Sequence, residues 1–386
     1  MTRKAAVAVI GGGVIGASVA YHLAKAGVRD IVVIDRHPRP GGGSTGRATG
    51  GFRAQFATPI NVKLSLLSRE MLFGFGDETG VDPGYKQVGY LWLAGNDSHL
   101  EALRKVRAMQ RECGLTEAVE LSTSEAALAN PCISMEDVAG AAFCPTDGYI
   151  RPLEILRGYL QAGARLGAQS LWSTDCIAFE KNRNRVTRIK TTSGDIEAEI
   201  VVNAGGAWAS DIASKAGVDL PVRPLRRQAA VTHETDALPD SMPMTIFLDT
   251  GFHLRVRDKR GVLCWPTFDD DAHSLRDTAD DNWVTAVDAM RMRRVPALRT
   301  TEFDRSLCYA GLYEMSPDHH CIVGFASECE NMFLVNGSSG HGVMHSPALG
   351  AIAADMITGR SPVIDVHQLR PSRFREGAAV QAAELL

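Results

Sequence analysis

Short apolar runs in this chain repeatedly end in glycine clusters. Val7-Ala8-Val9-Ile10 runs into Gly11-Gly12-Gly13-Val14-Ile15-Gly16, an amphipathic stretch follows from Val14 to Ala26, and a second apolar run, Ile31-Val32-Val33-Ile34, ends on Asp35. A short apolar run bounded by glycine reads as a buried strand, and the helical spacing after it as a helix. The pattern predicts strand, turn, helix, strand, acid. Thr58-Pro59 predicts the cap and first turn of a helix to about Phe73, Gly89 to Ala94 a strand, and Ser98 to Cys113 a charged surface helix. Leu153 to Leu166 reads as an amphipathic helix with apolar positions 153, 156, 160 and 166, and Arg185 to Ile200 as a hairpin turning at Ser193-Gly194-Asp195. Ile200-Val201-Val202-Asn203-Ala204-Gly205-Gly206 repeats the strand-into-glycine pattern and leads to a helix from Ala207. From Val222 to Phe268, short β-type runs separated by turns predict an antiparallel sheet, and Asp280 to Arg294 one more helix. Met332-Phe333-Leu334-Val335-Asn336 ends at Gly337-Ser338-Ser339-Gly340-His341-Gly342 before a last helix to about Thr358. Each of the two later glycine breaks, taken alone, is an ordinary strand-to-helix turn. Three such segments together suit a large ligand spanning a parallel sheet.

The first motif carries candidate chemistry. Gly11 allows a tight turn, Gly13 lets the backbone approach a pyrophosphate, and Gly16 lets helix and strand pack closely. The N–H groups at the helix start, with the helix dipole, favour negative charge. Asp35 stands where an acid accepts hydrogen bonds from an adenosine ribose. A lone glycine triplet also fits a flexible loop, but these flanking elements favour a bound dinucleotide.

Composition narrows this picture. The 386 residues exceed the ~250–300 at which single cores stop growing, so two joined domains are expected. A net charge of −4 leaves no electrostatic footprint for nucleic acid or an anionic membrane. The eight cysteines form no Cys-x-x-Cys pair, so reduced thiols in a cytoplasm are expected, without a zinc or dithiol site. With the first strand expected from Ala5, no cleaved leader is expected, and no apolar run reaches the ~18 residues of a membrane span. His319-His320 invites a metal reading, but neighbours on a strand face opposite sides, so no metal is expected.

With these motifs the chain resembles the D-amino-acid oxidase, glycine oxidase and sarcosine oxidase family of flavoproteins. Closest in look are single-flavin amine dehydrogenases and the β subunits of sarcosine oxidase and proline dehydrogenase complexes. The resemblance spans essentially the whole chain. It rests on Gly11 to Gly16, Asp35-Arg36, Gly43-Ser44-Thr45-Gly46-Arg47, Asn203-Ala204-Gly205-Gly206-Ala207-Trp208, Gly311-Leu312-Tyr313-Glu314-Met315-Ser316-Pro317-Asp318 and Ser339-Gly340-His341-Gly342. It implies an α/β chain, α+β overall: a Rossmann-like FAD-binding domain (1–85, 145–222 and 320–375) and an antiparallel-sheet substrate domain (86–144 and 223–319). It implies that Gly11, Gly13, Val14, Ile15, Gly16, Asp35 and Arg36 hold the adenosine half, with Gly43, Ser44 and Thr45 at the diphosphate. Thr49, Gly50, Gly51 and Arg53 then pass near the flavin ring. Ile177 touches the adenine side, and Ala204, Gly205, Trp208, Gly311 and Gly337 complete the cradle. Gly340, His341, Gly342, Val343 and Met344 present backbone N–H groups to the flavin pyrimidine edge. Reduction puts negative charge on that edge, which a helix start is suited to stabilise.

The chain also departs from the family. Relatives that tether flavin covalently do so through a cysteine where Gly311 stands or a histidine where Arg47 stands, and the histidine carrying a second flavin, FMN, corresponds to Pro152. Non-covalent FAD and no FMN are therefore expected, with Cys308 a buried structural thiol. The lysine that promotes reaction with oxygen falls near Leu263, and the nearest lysine is Lys259. Without that charge superoxide forms more slowly, which favours a dehydrogenase over a peroxide-producing oxidase.

On the substrate side the resemblance implies oxidation of the C–N bond of a small, secondary amino acid such as sarcosine, proline or hydroxyproline, by hydride transfer to flavin N5. Arg53 is the candidate carboxylate clamp, because its fork matches both oxygens; its alternative is a structural ion pair. Tyr313 is either a substrate contact or packing at the domain junction. A second carboxylate-binding lysine of some relatives is replaced by Met344, which leaves Arg255 to substitute for it or to face solvent. His341 contributes its imidazole or only its backbone, and Trp265 an apolar wall or core packing. The expected partners are an amino-acid substrate and an electron acceptor: a quinone, an electron-transfer protein or oxygen. The likeness to β subunits leaves a hetero-oligomer open beside a homo-oligomer, and assembly factors among the relatives leave a non-catalytic, flavin-binding scaffold open as well.

Overall fold

The computed structural model of the chain describes residues 2–266 and 273–380. The opening pattern folds as its periodicity dictates. Arg3–Ile10 and Ile31–Ile34 are parallel strands joined by the helix Val14–Lys25, whose apolar residues bury against the sheet. Arg3–Ile10 also pairs in parallel with Ile196–Asn203, which pairs in parallel with Met332–Asn336. The sheet runs in the spatial order Ile322–Phe325, Met332–Asn336, Ile196–Asn203, Arg3–Ile10, Ile31–Ile34, Gln169–Leu171. At the centre residues 7–10, Ile31–Ile34 and residues 200–202 are apolar, as a sheet covered on both faces requires.

Three helices cover one face. Gly342–Ile357 packs against both Val14–Lys25 and Pro59–Phe73. The expected 185–200 hairpin is part of a larger meander: Arg185–Thr191 pairs antiparallel with both Cys176–Asn182 and Ile196–Asn203. After Asn203 a 3₁₀ turn, Gly206–Trp208, precedes the helix Ala209–Lys215. In Pro152–Arg165 the buried apolar face is Ile155, Leu156, Tyr159 and Ala162, while Leu153 is exposed. The expected stripe through 153, 160 and 166 is thus rotated, because Tyr159 docks on Tyr21 and Phe75.

The second sheet runs Tyr309–Met315, Arg223–Val231, Arg260–Cys264, His253–Arg257, Met244–Phe247, Tyr90–Ala94, Gly140–Cys144, Val119–Leu121. It is antiparallel except where Met244–Phe247 lies parallel to Tyr90–Ala94. One side packs under the helix Asp281–Arg294 through Leu91, Phe247, Leu254, Leu263 and Val287. Positions 267 and 268, at the end of the expected β region, lie outside the described residues. No helix among the described residues is long and apolar enough to cross a membrane.

Candidate functional site

A cleft opens beyond the carboxyl ends of Arg3–Ile10 and Ile31–Ile34, where ligands of such sheets bind. Its floor is the Gly11–Ile15 turn. Gly11 has φ +109°, and a Cβ there would stand 2.2 Å from the Ala204 carbonyl oxygen. A Cβ on Gly16 would stand 1.9 Å from the Gly11 oxygen, so this contact sets how closely helix and strand approach. Gly13 differs: its Cβ would meet only Thr45 Oγ1 at 3.4 Å. No protein packing therefore demands glycine at 13. The helix that follows has no side-chain cap, so its first turn is open to an anion.

Asp35 is held in place by the chain. Its Oδ2 accepts from the Gly12 N–H at 2.8 Å, and its Oδ1 from the His37 N–H at 2.8 Å. Thr45 Oγ1 accepts from the Val14 N–H at 3.1 Å, and Ser44 Oγ donates to the Leu312 carbonyl at 2.7 Å. The Ser44 hydroxyl thus ties the glycine-rich loop to the second sheet. Arg36 lies 5.1 Å from the Trp208 ring and pairs with Asp175 at 3.2 Å.

The cleft wall contains Gly11, Gly13, Val14, Ile15, Asp35, Arg36, Gly43, Ser44, Thr45, Ala204, Gly205, Trp208, Gly311, Tyr313, Gly340, Gly342 and Val343. Other expected residues stand elsewhere. Gly16 lies behind the turn, and Thr49, Gly50 and Gly51 form a segment against Gly148–Tyr149 and Ile150. The Ile177 side chain is 54% exposed; strand alternation turns Cys176 into the cleft instead. Gly337 sits behind Ser338, which lines the wall, and Met344 is buried in the core beside Val14 and Ala17. The sequence reading assigned no role to Gly12, His37, Arg47, Thr174, Glu314 or Ser338, all on the wall. Glu314 and Ser338 lay inside quoted motifs, but a polar residue within an apolar strand carries no mark of the side it faces.

Whether this cradle fits a dinucleotide is decided by what it leaves unmet. Glu314 Oε2 and Ser338 Oγ are buried without a hydrogen-bond partner among the described residues. Burial raises the Glu314 carboxyl to about 7. Orphaned polar atoms on the wall and the empty space over Gly13 fit a large polar ligand with a diphosphate.

At the far end Arg53 is buried. It donates to the Gln55 carbonyl at 2.6 Å, and its Nη2 stands 3.4 Å from His341 Nε2. Its guanidinium lies 3.9 Å from the Phe56 ring centroid and 4.9 Å from that of Trp92. No carboxylate among the described residues lies within ion-pair distance of it. Asp147 is near but bonded to the Ala54 N–H and Gln55, and burial raises its carboxyl to about 6. Burial also pulls the Arg53 cation down and drives His341 well below the usual imidazole range, with Arg53 adding to the effect. His341 is therefore neutral, edge-on to Phe56 at 4.6 Å. Tyr313 lines the cleft, 36% exposed, with its ring against Gly340, and desolvation raises its phenol.

Arg255 is buried, not solvent-facing. It donates to the Thr49 and Val256 carbonyls over the Tyr149 ring at 3.8 Å, and so fastens the segment leading to Arg53. Trp265 packs in the core under Asp281–Arg294. Leu263 points to that same core, while Val262 and Cys264 share the opposite side with His253. The eight cysteines are all free. His320 hydrogen-bonds Thr58 at 3.0 Å while its neighbour His319 is exposed, and no metal-ligand cluster occurs among the described residues.

A sheet with a parallel centre and a glycine turn at its switch point, closed by a second, largely antiparallel sheet, defines a dinucleotide-binding protein. The chain belongs to the FAD-dependent oxidoreductase family, whose model matches residues 6–356. It is 27% identical to mouse (Mus musculus) mitochondrial sarcosine dehydrogenase over 97% of this chain and 42% of that protein. It thus spans less than half of that relative. It is 27% identical to glycine oxidase of Geobacillus kaustophilus over 95% of this chain and 96% of the relative. The crystal structure of L-proline dehydrogenase from P. horikoshii superposes with a TM-score of 0.91 at 28% identity, covering 98% of this chain and all of that one. The cradle fits the FAD for which this family is named.

Proposed function

We propose that this flavoenzyme oxidises the C–N bond of a small, secondary amino acid, of which sarcosine, proline and hydroxyproline are representatives. One observation carries the reading: Arg53 is a buried guanidinium between two aromatic rings, beside Tyr313 and His341, with no carboxylate among the described residues paired to it. A buried cation without a counter-charge is costly, and a ligand carboxylate supplies what is missing. Its planar fork fixes both carboxylate oxygens and so orients the carbon next to nitrogen.

FAD, when bound, supplies the two-electron acceptor. In our assignment Gly11 to Ile15, Asp35 and Thr45 hold its adenosine-diphosphate half and Gly340 to Val343 its ring. Residues 1–85, 145–222 and 320–375 form its domain, and 86–144 with 223–319 the substrate domain. Phe56 and Trp92 exclude water around the clamp, and neutral His341 keeps a second positive charge away from it. Tyr313, with its phenol proton retained, can donate to a substrate carboxylate or accept from its amine. Water then hydrolyses the product imine.

No lysine lies on the cavity side of Arg260–Cys264 or His253–Arg257, which supports a dehydrogenase whose acceptor is a quinone or an electron-transfer protein rather than oxygen. Anaerobic mixing with an amino-acid panel tests the proposal. Bleaching of the flavin by a secondary amino acid, with slow recovery in air, is expected. A flavin that no amino acid bleaches would return the protein to the scaffold reading, and fast recovery with peroxide would make it an oxidase.

A further inference from the structure

The sheet that closes the cleft has two chemically different sides. Cross-strand partners share a side, and the registers Leu225↔Tyr313, Arg227↔Gly311, Ala229↔Tyr309 and His253↔Cys264 set these residues on one of them. Ala230, Leu263 and Leu254 take the other, under the helix Asp281–Arg294. Tyr313 and His253 both lie within electrostatic reach of Arg53, so this side is the one turned toward the candidate clamp. Along Tyr309–Met315, Arg223–Val231, Arg260–Cys264 and His253–Arg257 this side carries Arg223, Arg227, Arg255, Arg257, Arg260 and His253, and neither Asp nor Glu.

Some of that charge is accounted for. Arg255 is bonded to main-chain carbonyls, and Arg260 pairs with Glu234 at 3.1 Å. Arg227 is half-buried, with no hydrogen bond or ion pair to any described residue. It lies one cross-strand row from Tyr313 and one from the Cys264–His253 pair. Both Arg227 and Arg53 act electrostatically on Tyr313 and on His253, lowering the imidazole below its usual range after burial has done most of that work. Two guanidiniums with no carboxylate partner among the described residues therefore act on both Tyr313 and His253. One α-carboxylate satisfies only one of them.

We propose that the substrate carries a second carboxylate, which Arg227 binds while Arg53 holds the first: a secondary amine whose nitrogen substituent is itself acidic, such as an N-carboxyalkyl amino acid. This rests on the reading of Arg53 as the carboxylate clamp.

The test compares matched pairs that differ by one carboxylate. Iminodiacetate and sarcosine report on flavin reduction. Glutarate and butyrate, which are not oxidised, report on binding through the flavin difference spectrum. The wild type is expected to favour the dicarboxylate of each pair about tenfold or more, as one charge-assisted contact allows. Arg227→Gln should cost the dicarboxylates about tenfold more than the monocarboxylates, and Arg227→Lys should restore part of the difference. A wild type that binds glutarate no more tightly than butyrate overturns the proposal, as does Arg227→Gln weakening both members equally. The wild-type ratio decides by itself if the variant loses flavin. Glutarate preference without bleaching by any amine would keep the anion site and reject the oxidation reading.

Discussion

At the scale of single residues, two positions separate holding the cofactor from holding the substrate. Gly13 is glycine without crowding from the protein, since its Cβ would touch only Thr45 Oγ1 at 3.4 Å. Gly13→Val should therefore fold, with unchanged far-ultraviolet dichroism, yet purify almost free of flavin, because the branched side chain takes the diphosphate's place. Full flavin content in this variant would move the cofactor away from the turn. Arg53 has the opposite profile. Arg53→Ala should retain FAD and lower kcat/KM roughly tenfold to a thousandfold for the amino acid that bleaches the flavin. The lower end reflects one charge-assisted contact of ~1.5–3 kcal/mol, and the upper end adds misplacement of the reacting carbon. Arg53→Lys should recover only part, since an ammonium lacks the planar fork. An unchanged kcat/KM in fully flavinated Arg53→Ala would shift the clamp to Tyr313 or Arg227.

At the scale of elements, the helix Gly342–Ile357 joins cofactor cradle and core. Its first turn lines the cleft, and one turn on His345 is buried against Pro59–Phe73, with its Nε2 2.9 Å from Ser65 Oγ. Burial holds the His345 imidazole down to about 3, whereas an unfolded histidine takes up its proton near 6.5. Below ~6.5 the unfolded chain binds the extra proton, so stability is full above that pH and falls as pH drops toward 3, by about 1.4 kcal/mol per unit for such a ring. Asp147 works the other way: raised to about 6, its contribution is full below ~4 and is lost as pH climbs through 6. His345→Gln, which keeps an amide beside Ser65 but does not titrate, should flatten the loss of stability between pH 6.5 and 4. Urea midpoints across that range check it, and an unchanged slope would mean the ring titrates normally in the fold.

At the scale of the whole molecule, the cradle is assembled from segments near residues 10, 45, 175, 205, 312 and 340, so one ligand ties both sheets together. Binding to the native state alone stabilises it by about 2.7 kcal/mol at a hundredfold excess over Kd, and Tm should rise with added FAD accordingly. Acid precipitation should release all flavin as FAD into the supernatant, because Arg47 and Gly311 stand at the tethering positions and Arg47 packs over Gly311 at 3.3 Å from its ideal Cβ. Flavin remaining with the pellet would require a covalent link.

Local pattern determined the opening strand–turn–helix–strand unit, the helix beginning at Pro59 (although Thr58 bonds His320 instead of capping it) and the glycine breaks after Asn203 and Asn336, because backbone permission and apolar period are properties of neighbouring residues. The dinucleotide turn and Asp35 were legible for the same reason. Only the tertiary structure decided which side of a strand a residue serves. Ile177 points out where Cys176 points in, Trp265 and Leu263 face the helix-packed core while Cys264 lies on the opposite side of the sheet with His253, and Leu153 is exposed although its spacing suits burial. It also decided that Arg255 fastens Thr49 and that Arg53 stands without an ion pair among the described residues. A one-residue change of register exchanges the two sides of a strand, and register is fixed by partners far away in the chain. The chemistry of the substrate side therefore appears only when the sheets are assembled.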